Sequence, residues 1–111
     1  MIAIDITVDE AGLLYSCTAR GHALAGRVGT DIICAAVSVL LRTFLRCSAL
    51  QPGLSVCADT AQAGFIGFTA AATEQGRDFL RASGGFLIEG LSSVAEEFPD
   101  NCKLTITCKR A

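Results

Sequence analysis

The sequence holds a single histidine and no Cys-x-x-Cys pair among its six cysteines. The usual zinc patterns combine spaced cysteine pairs with histidines, so no metal or other cofactor is expected. Basic residues are also scarce: nine Lys and Arg stand against eleven Asp and Glu, giving a formal charge of −2. A nucleic-acid surface needs clustered Lys and Arg, so direct nucleic-acid binding is not expected. Met1 opens straight into an alternating segment, without the basic region and apolar run of a secretory leader. The most apolar stretch, Ile32 to Leu41, reads as too short to span a bilayer and leads into Arg42 and Arg46. Six cysteines in an acidic, leaderless chain then indicate a reducing cytoplasm rather than a disulfide framework, and no membrane association. No internal repeat, linker or low-complexity tract appears.

What the chain does have is aliphatic mass. Hydrophobic residues make up 51% of its 111 residues, enough for one modest core, so a single domain over residues 1–111 is expected. Ile2, Ile4, Ile6 and Val8 alternate with Ala3, Asp5 and Thr7, the pattern of a half-buried strand. Asp9 to Gly12 turns the chain into a second strand from Leu13 to about Arg20, expected antiparallel to the first. Its odd positions, Leu13, Tyr15, Cys17 and Ala19, form the expected apolar face. A first helix is expected from about Ile32 to Ala49, with Ile33, Val37, Leu40, Phe44 and Cys47 as its core stripe. Val39 and Leu41 make further faces apolar, which hints at a dimer interface as well as a sheet beneath.

Gln51-Pro52-Gly53 ends that helix, and two short strands follow near Leu54–Ala58 and Gly64–Ala70. Cys57 is out of phase with Leu54 and Val56 and is expected to face away from the core. A second helix is expected from about Glu74 to Phe98, with a kink or close helix contact at Gly84-Gly85. The last strand puts Cys102, Leu104, Ile106 and Cys108 on one face, so both cysteines are expected in the core. The order β-β-α-β-β-α-β predicts a two-layer α+β domain, an antiparallel or mixed sheet with both helices on one face.

Chemistry concentrates between Gly21 and Ser38. His22 follows the second strand, and Cys34 stands where the first helix begins. Thr30 and Asp31 can each cap a helix N-terminus. With Asp31 as the cap, Cys34 falls at the third helical position, close to the positive end of the helix dipole, which favours thiolate over thiol. An ionisable thiol and one imidazole within reach are the minimum for nucleophilic catalysis. A small core cysteine and a structural histidine would give the same residues. Ser38 is one turn beyond Cys34 on the same helix face and either donates a hydrogen bond there or serves packing. Gly26 and Gly29 suit a lid that orders over a peptide, or an ordinary connector. Gly21 leaves room for a close approach to the backbone or simply permits the turn.

Gly-His-Ala at 21–23, then Gly29, Asp31-Ile32-Ile33-Cys34-Ala35-Ala36 and Ser38, resembles the signature of the ribosomal-processing cysteine protease (Prp) family. The resemblance implies a cytoplasmic bacterial peptidase, homodimeric, that removes a short N-terminal extension from the large-subunit ribosomal protein numbered twenty-seven. It places the family's histidine on His22, its nucleophile on Cys34, its acidic residue on Asp31 and its serine on Ser38. Asp31 then caps the helix first and orients His22 second, since its charge opposes thiolate formation. Two other classes remain open: a catalytically silent dimeric ribosome-associated binding module, and a redox or acyl-transfer enzyme. The lack of a resolving cysteine at short spacing counts against the redox version.

Overall fold

The computed structural model describes residues 1–21 and 31–109, with the side chain of Asp31 outside that description. Five strands and two helices alternate as expected: β1 (Ile2–Val8), β2 (Leu14–Arg20), α1 (Asp31–Ala49), β3 (Leu54–Asp59), β4 (Phe65–Ala72), α2 (Arg77–Glu97) and β5 (Cys102–Cys108). A single 3-10 turn, Glu74–Gly76, takes the place of the expected first turn of α2. The strands form one sheet in the order β3-β4-β2-β1-β5, in which only the β1–β5 pairing is parallel. The fold is therefore a two-layer α+β arrangement with a mixed sheet.

Alternation decides which face the helices cover. Ile4 lies opposite Ala19 and Leu104, Ile6 opposite Cys17, and Cys17 opposite Phe68, so these side chains share one face. Ile4, Ile6, Cys17, Ala19 and Phe68 are buried there with Ile33, Val37, Leu41 and Phe44 of α1 and Leu80, Leu87 and Leu91 of α2. The rings of Phe44 and Phe68 stack at 5.0 Å between centroids, tying α1 to the sheet centre. On the opposite face, Asp5, Arg20 and Thr69 are exposed.

Three expectations about burial change. Thr7 pairs with Ser16 but Val8 with Leu14, so Tyr15 is the extra residue of a β-bulge. The bulge puts Leu13 and Leu14 inside and turns Tyr15 outward, where the Lys109 ammonium sits over its ring. On α1, Cys47 is exposed and Ser48 takes the inward position. Cys108 keeps its expected parity, yet it is exposed together with Ile106, because the end of this edge strand runs beyond the cover of the helices. Cys102 is buried and Cys57 exposed, as expected.

Helix α2 runs through Gly84-Gly85 as one element. A Cβ on Gly84 would come within 3.1 Å of the Leu14 Cβ, so this glycine lets the helix settle on the sheet rather than on the other helix. The close helix–helix approach falls instead at Gly90, where a Cβ would meet Leu40 at 3.0 Å. The apolar stretch of α1 is also longer than the sequence reading took it to be. Ile32–Ala49 is long and apolar enough to cross a membrane by length and composition, but in the fold one side of it packs on the core. The other side leaves Ile32 and Val39 largely exposed.

Candidate active site

Strand β2 leads into the candidate site. Gly21 follows it at φ +152°, and its N–H donates to the Gly64 carbonyl at 3.1 Å, extending the β2–β4 ladder by one bond. A Cβ at this position would run into the Met1 carbonyl oxygen. Of the two readings of Gly21, room for a close approach or a permitted turn, the geometry shows a close approach by the chain's own first residue at a positive φ. His22, Gly26, Gly29 and Thr30 lie outside the described residues.

Asp31 is the first residue of α1 rather than the residue before it, so Cys34 falls at the fourth helical position instead of the expected third, still within the first turn. Backbone N–H groups in that turn have no intrahelical acceptor and carry the positive end of the helix dipole. The Cys34 side chain is half-buried and packs against the core cluster. Its sulfur lies 3.9 Å from the Ser38 hydroxyl, at the long end of hydrogen bonding to sulfur, and either atom can be the donor. The structure thus brings Cys34 and Ser38 together as their spacing predicts.

Beyond Ser38 the same face of α1 carries Arg42, and the turn between β3 and β4 stands across from it. Ser38, Arg42, Thr60, Gln62, Gly64 and Phe65 border a cavity of about 290 Å³. The turn is shaped by Asp59, whose carboxylate accepts the Ala61 N–H at 3.2 Å. Sequence reading noted this turn without assigning it to the site, since nothing local to residues 59–64 signals that α1 lies opposite.

The other five cysteines divide into two groups. Cys17 and Cys102 are buried in the sheet. Burial pushes the Cys17 thiol up to about 12, with the Asp5 carboxylate adding in the same direction. Burial also raises Cys102. Cys47, Cys57 and Cys108 are exposed, outside the first turn of a helix. Among the described residues no three His, Cys, Asp or Glu gather as a metal site would need.

A half-buried thiol in the first turn of a helix is an arrangement that thiol enzymes use. The family model of cysteine protease Prp matches residues 1–103, and the chain belongs to that family. It is accordingly a cysteine protease. Among solved structures, SMU.848 from Streptococcus mutans is 24% identical with a TM-score of 0.80, over 98% of this chain and 96% of that one. The essential ribosomal processing protease Prp from S. aureus, in complex with a substrate peptide, is 23% identical with a TM-score of 0.80. That match covers 96% of this chain and 100% of the other. The same S. aureus protease with a covalently linked product peptide matches equally. No curated protein matches the chain. At these identities the solved structures speak for the shared fold, while the family model speaks for the class of chemistry.

Proposed function

We propose that the chain is a cytoplasmic endopeptidase that removes a short N-terminal extension from the precursor of the large-subunit ribosomal protein numbered twenty-seven, using a His22–Cys34 dyad. The observation that carries this reading is the position of Cys34. Of the six thiols it alone occupies the first turn of a helix, at the place where the sequence resembles the family's nucleophile. The S. aureus relative was crystallised with a substrate peptide and with a covalently linked product peptide, which suits a thiol that forms a covalent intermediate.

The steps follow from the residue types. His22 accepts the Cys34 proton, and the sulfur attacks the scissile carbonyl carbon to give a tetrahedral oxyanion. Unpaired backbone N–H groups in the first turn of α1 stabilise that charge. Collapse breaks the C–N bond, the protonated His22 gives its proton to the leaving amine, and an acyl-thioester remains on Cys34. Water, deprotonated by His22, hydrolyses the thioester and restores the thiol. Ser38, in contact with the sulfur, limits its rotation, and Asp31 opens the helix that carries it, its charge suited to the positive end of the helix dipole.

The working unit is a homodimer. Its support is the family resemblance and the apolar surface left by the helices, where Val39 and Phe86 are 62% and 76% exposed. Processing of the purified precursor tests the proposal: Cys34→Ala abolishes cleavage with circular dichroism unchanged, and Cys34→Ser is nearly as inactive. Wild-type rates in Cys34→Ala would remove the dyad reading.

A further inference from the structure

Residues 34, 38 and 42 stand one turn apart along α1, so a line drawn from the nucleophile passes over Ser38 to Arg42. Eight residues of helix rise about 12 Å, and an extended peptide advances about 3.3 Å per residue. A substrate laid along this face therefore reaches Arg42 three to four residues from the bond that is cut. Arg42 borders the 290 Å³ cavity together with Thr60 and Gln62 of the β3–β4 turn and with Ser38, the residue whose hydroxyl lies 3.9 Å from the Cys34 sulfur. Arg42 has no ion pair with any described residue, and the β3–β4 turn that faces it is held by its own Asp59 hydrogen bond rather than by Arg42.

An arginine offers only donors. A neighbouring hydroxyl and amide can adjust to whatever the arginine selects, so the cavity suits a hydrogen-bond-accepting side chain and disfavours a cation. We propose that Arg42 and the β3–β4 turn form a specificity subsite that takes a carboxylate or amide side chain of the peptide, three to four residues from the scissile bond. This rests on the reading of Cys34 as the nucleophile, which fixes the distance. The subsite selects substrate by charge and hydrogen bonding, and takes no part in moving the proton.

The test uses peptides spanning the cleavage site of the precursor, varied to Glu, Gln, Leu or Lys at the third and fourth positions on either side. For the full chain, kcat/KM with Glu or Gln exceeds that with Lys by about three- to tenfold at one of these positions, as befits a partly exposed charged contact. Arg42→Glu reverses the ratio in favour of Lys. Gln62→Glu, on the exposed turn, moves it in the same direction by a smaller factor and covers the case in which the Arg42 variant does not fold. A Glu-to-Lys ratio that stays the same in wild type, Arg42→Glu and Gln62→Glu overturns the subsite. Cys34→Ala, assayed on the same peptides, separates the two readings: its inactivity with an unmoved ratio refutes only the subsite, whereas its activity refutes the nucleophile.

Discussion

Cys17 and Cys34 are the same side chain in two regions of one small protein. Cys17 sits in the middle of the sheet, paired with Ile6 on one side and Phe68 on the other, fully sealed beneath the helices. A charge there would be stranded in an apolar interior, so its thiol is pushed up to about 12 and holds its proton. Cys34 stands in the first turn of α1, half-buried and with a hydroxyl against its sulfur. Its side chain still rests against the edge of the apolar core, but the helix turn that carries it presents backbone N–H groups with no intrahelical acceptor. The difference teaches that burial and position on the fold decide what a thiol can do; in the proposed reading Cys34 carries the chemistry and the other five cysteines are packing or surface residues.

The comparison can be broken first on the side of the site. Gly21→Ala has the largest expected effect of the three changes considered next, because the new Cβ meets backbone at Met1 and the position has a positive φ. A loss of about 2–3 kcal/mol in denaturant unfolding is expected, together with slower precursor cleavage, since β2 leads through this residue to His22. Unchanged stability would mean that the β2 end can shift freely.

On the side of the core, the proton on Cys17 makes a linkage prediction. Its ordinary value is 9.0 and its folded value about 12. Between those limits the folded state keeps a proton that the unfolded state has released, so unfolding is favoured by raising pH. This contribution is fully present below about pH 9 and is lost as pH rises toward 12, at about 1.4 kcal/mol per pH unit for one proton. Cys17→Ala is less stable at pH 7 by about 1 kcal/mol, yet its stability falls less steeply above pH 9. Parallel curves for wild type and variant would show that burial does not hold the proton as described.

The smallest effect sharpens what counts as core. The Ser48 hydroxyl is buried on α1 without a hydrogen-bond partner among the described residues. Ser48→Ala removes that unpaired group and is expected to raise stability by up to about 1 kcal/mol in urea unfolding. A loss of similar size would reveal a partner for the hydroxyl.

Much of this contrast was legible from residue order. The β1 alternation, the order of elements, the burial of Cys17 and Cys102, the exposure of Cys57 and the Cys34–Ser38 contact all follow from period-2 and period-3.6 spacing. What failed did so for physical reasons. A bulge shifts parity by one residue, and nothing local to Tyr15 announces it. Cys47 and Ser48 both lie at allowed stripe spacings; hydropathy favours the cysteine, but the docking of α1 on the sheet favours its neighbour. For Cys108, parity gives the face without saying whether a helix covers it. The β3–β4 turn joins the surroundings of the site only through the tertiary packing of α1. The placements of His22, Gly26 and Gly29, named for the dyad and lid, lie outside the described residues.

The most direct test of the central claim is to ask which sulfur reacts. A substrate-derived peptide carrying an electrophile at the scissile carbonyl is added below one equivalent at neutral pH, and the labelled cysteine is located by mass spectrometry of the digested protein. The account predicts a single adduct on Cys34, with processing activity lost in proportion to labelling. Labelling of the exposed Cys47, Cys57 or Cys108 instead, with Cys34 unmodified while activity is lost, would contradict it.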